Sequence, residues 1–234
     1  MEKGTIAIVP AAGVGKRFDA SRRKTFVDLN GLPLLVQTLK RLQESESIEE
    51  IIPVLRGEDI EKGYELVSNH GLYKIKKIVA GGAERQDSVY NGLMSIEEGD
   101  LVLIHDGVRP ILSRGLIDRL LSGLNGFDGI APGIPLKETI KVVDNKGMVV
   151  NTVRREGFWS IQTPQLFPLD ILKKAYQSAY DEGYYATDDT ALVERIGGRV
   201  KIIPGSPFNI KVTTPEDLEI IRCLLTKGES TFDF

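Results

Sequence analysis

The chain has one cysteine, Cys223, and two histidines, His70 and His105, in 234 residues. A single cysteine excludes an internal disulfide and suits a reducing compartment. Two histidines so far apart in sequence give zinc chemistry little support. No apolar run approaches the roughly 20 residues of a membrane span. The start, MEKGTIAIVPAAG, passes directly from a charged tip into strand-like sequence, unlike a secretory leader. An excess of basic residues is also missing. The formal net charge is −3, which argues against a general nucleic-acid binder. These absences point to a cytoplasmic globular protein with neither nucleic acid nor membrane as partner.

What is present is alternation. Apolar residues make up 41% of the chain and charged residues 27%, close to globular averages. Short, β-branched apolar runs recur at 5–9, 51–55, 75–80, 101–104, 129–131 and 200–203, and such runs suit strands covered on both faces. Helical spacing falls between them: Leu35, Leu39 and Leu42, then Leu172, Tyr176 and Ala179 after Pro168. Near the end, Thr214 is a cap, Pro215 suits a first helical position, and Leu218, Ile221 and Leu225 form a stripe. Alternating strand and helix predict an α/β layer structure with a mostly parallel sheet. Without repeats or long linkers, one domain over 1–234 is expected.

One segment interrupts this alternation. ETIKVVDNKGMVVNTV, residues 138–153, reads as two β-branched runs around a turn. A lone two-stranded ribbon is marginal in water, so its valines and Met148 need a cover. Either its own domain supplies that cover, or residues 136–157 form an arm that pairs with a second subunit.

Three segments carry candidate chemistry. PAAGVGKRFDASRRKTF, residues 10–26, gathers Lys16, Arg17, Arg22, Arg23 and Lys24 behind Ala11, Ala12, Gly13 and Gly15, with Asp19 the one acid. It lacks the glycine and hydroxyl positions of a P-loop, and Phe18 stands where a dinucleotide fingerprint needs glycine. Small residues at the carboxyl end of a first strand let a ligand approach the backbone. Arg17 and Lys24 are suited to neutralising a polyphosphate. VLIHDGVRP, residues 102–110, delivers Asp106 to the end of a central strand, where one carboxylate can hold Mg²⁺ alongside phosphate ligands. Gly107 would leave room for a ligand, Arg109 adds a cation, and His105 reads as an orienting residue. GGAERQDSV, residues 81–89, offers glycines, a helix start and Ser88 for a base or ribose. TPQ, ATDDT and NIKVT add Thr163, Thr187 and Lys211. Cations and main-chain donors for a nucleoside triphosphate, one carboxylate for a metal, and further cations for a phosphorylated acceptor fit nucleotidyl transfer. Phosphate nucleophiles are already anionic, so the protein supplies alignment and charge stabilisation.

PAAGVGKRF, GGAERQDSV, IHDGVRP, TPQLF, TDD and NIKVT, in this order across nearly the whole chain, resemble the 2-C-methyl-D-erythritol 4-phosphate cytidylyltransferase family. The resemblance implies a Rossmann-like sheet, CTP and Mg²⁺ as reactants, and a homodimer joined through its arms. It implies that Gly13, Gly15, Arg17 and Lys24 hold the triphosphate, with Gly82 and Ser88 at the cytosine. Asp106 and Lys211 would then lie near the reacting phosphate and metal. Arg109, Thr163 and Thr187 would face the acceptor, and Thr139 and Arg155 would reach it from the partner's arm. The chain departs from the family pattern at Arg23, Thr25, Gly107, Val108, Arg154 and Phe208. Two alternatives are a ribitol 5-phosphate cytidylyltransferase and a non-catalytic nucleotide-binding regulator.

Overall fold

Strand β1 (Thr5–Pro10) is buried on both faces from Thr5 to Val9, as its uninterrupted apolar run requires. The computed structural model describes residues 4–13, 18 and 23–226. After β1 come a 3-10 turn (Lys24–Phe26), the two-residue strands β2 (Asp28–Leu29) and β3 (Leu32–Pro33), and α1 (Leu34–Gln43). Then follow β4 (Ile48–Leu55), α2 (Ile60–Asn69), β5 (Val79–Ala80), α3 (Arg85–Met94), β6 (Leu101–Ile104), α4 (Arg114–Gly123) and β7 (Gly129–Pro135). The chain continues through β8 (Ile140–Val143), β9 (Val149–Val153), β10 (Trp159–Ile161), β11 (Gln165–Pro168) and α5 (Leu169–Asp181). It closes with α6 (Asp189–Arg195), β12 (Val200–Pro204) and α7 (Pro215–Thr226).

The main sheet has eight strands: seven in the order β10-β7-β11-β6-β1-β4-β5, and β12, which also pairs with β7. β1 runs parallel to β4 and β6, β4 to β5, and β12 to β7. The expected α/β architecture, a largely parallel sheet flanked by helices, is therefore present. TPQLF, however, carries a strand that its composition does not announce. β11 runs antiparallel between β6 and β7 and joins the two halves of the sheet. The run at 75–80 reads as one strand, yet only Val79–Ala80 joins the sheet. It lies at the edge, where Lys76 and Lys77 discourage further pairing.

Side chains alternate across β1 in the period of a strand. Ala7 and Val9 pack with Leu35, Leu39 and Leu42 of α1 and with Leu116 and Leu120 of α4. Ile6 and Ile8 pack on the opposite face with Val89 and Leu93 of α3, Leu172 and Tyr176 of α5, and Leu192 of α6. Each such Ile or Leu contributes about 1.5–3 kcal/mol by burial. A third cluster joins Val108 and Ile111 beyond β6 to Val212, Leu218 and Ile221 around α7. It sets the segment before α7 against the end of β6.

The hairpin stands apart. β8 and β9 pair with each other in a separate two-stranded sheet. Consecutive valines, Val142 with Val143 and Val149 with Val150, are exposed on this ribbon, so both of its faces present apolar side chains.

Candidate active site

The parallel strands β4, β1 and β6 end beside one cleft of about 590 Å³. Ala11, Ala12 and Gly13 follow β1 along one wall, and Gly81, Gly82, Arg85 and Ser88 form another. Lys24, Arg56, Asp106 and Lys211 place charge around them. A side chain at Gly81 would meet Ala12 Cβ at 2.4 Å, so glycine lets these two walls approach closely. The Gly82 N–H donates to Ser88 Oγ at 3.2 Å, and the Ser88 hydroxyl donates to the Glu84 carbonyl at 3.1 Å. The loop thus holds its own shape before any ligand arrives.

Asp106 is the electrostatic centre. Among the described residues, three cations meet its carboxylate: Lys211 at 3.1 Å, Arg109 at 3.2 Å and Arg85 at 3.3 Å. Burial alone would raise its pKa, but Arg85, Lys211 and Arg109 hold it well below the usual carboxylate range. Asp106 is therefore ionised at every physiological pH. Arg85 continues the network with a bidentate pair to Asp189 at 2.7 and 3.1 Å. Burial would lower the Arg85 pKa, whereas Asp189 and Asp106 raise it well above its ordinary value. Tyr176 completes the chain by donating its hydroxyl to Asp189 Oδ1 at 2.5 Å.

The turn after β6 is fixed from below. The Asp106 N–H donates to Thr163 Oγ1 at 3.1 Å, and Thr163 Oγ1 lies 3.1 Å from His105 Nδ1. His105 Nε2 lies 3.1 Å from the Arg109 carbonyl. These partners specify one arrangement: Nε2–H donates to the carbonyl, and Nδ1 accepts from the threonine hydroxyl. His105 is thus the neutral tautomer. Burial lowers its pKa to about 4, in keeping with an orienting role.

Lys211 reaches Asp106 because its segment is docked. Arg109 Nη1 donates to the Asn209 carbonyl at 2.7 Å, Asn209 Nδ2 to the Thr163 carbonyl at 2.7 Å, and the Val212 N–H to the Val108 carbonyl at 2.9 Å. Lys24 Nζ donates to the Val212 carbonyl at 2.8 Å, bringing the first loop to the same place.

Ala11, Ala12, Gly13, Lys24, Gly82, Ser88, Asp106 and Lys211 therefore share one cleft. Gly15 and Arg17 lie outside the described residues. The ligand room expected at Gly107 is a correction: a Cβ there would meet Ala11 Cβ at 2.9 Å and Leu35 Cδ1 at 3.0 Å, so this glycine serves packing. Arg109 and Thr163 lie buried beneath Asp106, whereas Thr187, Thr139 and Arg155 are exposed away from the cleft lining. Arg155 bonds the Lys137 carbonyl at the base of the hairpin. Three of the unusual residues have local partners. Arg23 pairs with Asp59 at 2.9 Å, Thr25 Oγ1 donates to the Ala11 carbonyl at 3.2 Å, and Phe208 packs on the cluster around α7.

Comparison with known proteins gives the family and supports the fold. The sequence model of the 2-C-methyl-D-erythritol 4-phosphate cytidylyltransferase family matches residues 5–227. The chain belongs to that family. A relative of that name from Dictyoglomus thermophilum is 44% identical, covering 98% of this chain and 99% of its own. One from Syntrophus aciditrophicus is 42% identical over the same shares. The crystal structure of 4-diphosphocytidyl-2C-methyl-D-erythritol synthase from Anaerococcus prevotii superposes with a TM-score of 0.84 at 29% identity, covering 97% of this chain and all of that one. The 2-C-methyl-D-erythritol 4-phosphate cytidylyltransferase of Thermus thermophilus gives 0.78 at 30% identity, with 97% and 100% covered.

Within this family member, sequence reasoning missed Arg85, Asp189 and Arg56. Arg85 did carry a signal. It opens α3, and a cation at a helix N-terminus is disfavoured by the dipole unless acids stand close by. Asp106 and Asp189 are those acids.

Proposed function

We propose that the cleft transfers a cytidylyl group from CTP to 2-C-methyl-D-erythritol 4-phosphate, giving 4-diphosphocytidyl-2-C-methyl-D-erythritol and pyrophosphate. The observation that carries this reading is the grouping of Lys211, Arg85 and Arg109 on Asp106 beside glycine-lined walls. Charge is fixed there in advance of the substrates, as transition-state stabilisation requires.

An acceptor phosphate oxygen attacks the α-phosphorus of CTP. The bond from that phosphorus to the bridging oxygen breaks, and pyrophosphate leaves with the electron pair. The nucleophile is an anion already, so neutral His105 is not needed as a base. Lys24 and Arg17 neutralise the triphosphate where Ala11, Ala12, Gly13 and Gly15 let it approach the backbone. Gly82 and Ser88 bound the cytosine. Lys211, held on Asp106, stabilises charge at the reacting phosphate, and Arg109 and Thr163 fix the Asp106 turn on the acceptor side. Thr187 contacts the acceptor.

A divalent cation fits this donor set in one way. Among the described residues no group of three His, Cys, Asp or Glu can hold a metal alone. One carboxylate at a phosphate site suits Mg²⁺, which takes its remaining ligands from phosphates and water. Asp106 is the residue that would hold it. When bound, Mg²⁺ neutralises phosphate charge and draws electron density from the α-phosphorus.

The arm supports a homodimer. Val150 is 67% and Met148 66% exposed on a ribbon too small to be stable alone. A second copy covers these side chains and brings its Thr139 and Arg155 to the acceptor. Residues 1–234 then act as one nucleotidyltransferase unit with the arm at 136–157. The unit works in the cytoplasm, as its single cysteine suggests. Among the described residues no helix is long and apolar enough to cross a membrane.

The test is pyrophosphate release by the purified protein with CTP and Mg²⁺, each acceptor being supplied separately. Release with 2-C-methyl-D-erythritol 4-phosphate is expected. Release with ribitol 5-phosphate alone replaces the acceptor while keeping the mechanism. Silence with both, beside measurable CTP binding, favours the regulator and overturns the proposal.

A further inference from the structure

Three consecutive side chains at the start of α3 hold residues 184–189, which run from the loop after α5 to the first residue of α6. Arg85 holds Asp189, and Asp87 Oδ1 accepts from the Tyr185 hydroxyl at 3.0 Å. Between them, Gln86 uses both ends of its amide. Nε2 donates to the Tyr184 carbonyl at 3.0 Å, and Oε1 accepts from the Ala186 N–H at 2.8 Å. Gln86 is 6% exposed, whereas Tyr185 in the loop it grips is 54% exposed. A buried amide bonded to a carbonyl and to an N–H two residues on acts as a strand partner would. It fixes the backbone itself.

Thr187 follows Ala186 directly. On its other side Asp188 caps α6, accepting from the Ala191 N–H at 3.1 Å. The backbone at Thr187 is therefore held between the glutamine clamp and the helix cap. Gln86 is not among the described residues that line the cleft, although Arg85 and Ser88 beside it are.

We propose that Gln86 is a positioning residue for the acceptor: it fixes the backbone that carries Thr187 to the helix that opens at the nucleotide cleft. The two substrate sites are thereby joined through one buried side chain. This inference rests on the reading of Thr187 as an acceptor contact. Removing the clamp leaves a carbonyl and an N–H without their partner, loosens the Thr187 backbone, and touches no nucleotide contact.

The experiment is steady-state kinetics of Gln86→Ala, Gln86→Glu, Thr187→Ala and the Gln86→Ala/Thr187→Ala double variant, with CTP titration and thermal melting of each. Gln86→Glu keeps the shape and still accepts from Ala186, but it cannot donate to the Tyr184 carbonyl. It also carries the test if Gln86→Ala folds poorly. Both Gln86 variants are expected to raise the acceptor KM about tenfold while the CTP Kd stays within about twofold. The double variant should show an acceptor KM no higher than Thr187→Ala alone, because one residue acts through the other. An unchanged acceptor KM in the Gln86 variants, when Thr187→Ala raises it, overturns this inference alone. An unchanged KM in Thr187→Ala removes the acceptor reading of Thr187 and the inference with it. Equal weakening of both substrates with a lowered Tm marks a purely structural glutamine and also overturns the proposal.

Discussion

At the carboxyl end of β6, charged groups are buried; along β8 and β9, apolar groups are exposed. Each region reverses the usual distribution of residues, and each solves the problem differently. Asp106 and Asp189 are almost fully enclosed, and their charges are met by Arg85, Arg109 and Lys211 from the same chain. The valines of the hairpin have no such cover within their own two-stranded sheet. Buried charge is tolerated when it is paired, and exposed apolar surface marks a place where something docks. The first region pairs its charges within one chain, and the second leaves its apolar side chains exposed.

The sharpest way to break that comparison is to unpair the buried network. Asp189→Ala removes the bidentate partner of Arg85 and leaves its largely buried guanidinium with only the longer contact to Asp106 among its described carboxylate partners. A loss of about 3–5 kcal/mol in folding stability is expected, read as a shift in the urea midpoint. A midpoint within error of the parent would show the network to be slack.

Lys24→Ala should act mainly on function. Its ammonium donates to the Val212 carbonyl at the cleft edge, outside the buried Arg85–Asp189 network, so melting should change far less than in Asp189→Ala. Turnover should fall by about 10²–10³-fold, the range for losing one preorganised charge donor. Near-normal turnover would remove Lys24 from the proposed mechanism.

Acid should also find the buried region first. The folded pKa of His105, about 4, lies below its ordinary 6.5, so the unfolded chain binds the extra proton between those values. The stability contributed by neutral His105 is intact above pH 6.5 and is lost as pH falls through about 4, to a total of about 3 kcal/mol. Burial keeps the ring neutral in the folded state, helped by the Arg109 charge and opposed by the Asp106 carboxylate and by the hydrogen bonds at Arg109 and Thr163. Urea midpoints of the parent between pH 7 and 4.5 should fall more steeply than those of His105→Gln. Parallel slopes would contradict the buried neutral histidine.

Much of this was readable in advance, for reasons visible at single residues. Leu101 to Ile104 is apolar on both faces, so Asp106 had to emerge at the end of a central strand. The turn DNKG needs a left-handed residue, and Gly147 supplies it with φ of 78°. Leu172, Tyr176 and Ala179 are all fully buried on α5, as their spacing predicts. Other features depend on distance in space. The partners of Arg85 and Gln86 at 184–189 lie about a hundred positions away, so no local pattern names them. β11 is hidden in TPQLF because its four residues, Gln165–Pro168, show no alternation. Gly107 misled for the opposite reason. Glycine beside a functional carboxylate suggests ligand space, but the space is filled by Ala11 and Leu35.

The central claim is that the charged cleft of one subunit is completed by the arm of another. Mixing two crippled variants, Lys24→Ala in the cleft and Arg155→Ala on the arm, tests it directly by pyrophosphate release after subunit exchange. Half of the exchanged dimers are mixed and each holds one intact site, so recovery to about a quarter of wild-type activity is predicted. No recovery above the separate variants, or full activity of Arg155→Ala by itself, would contradict it.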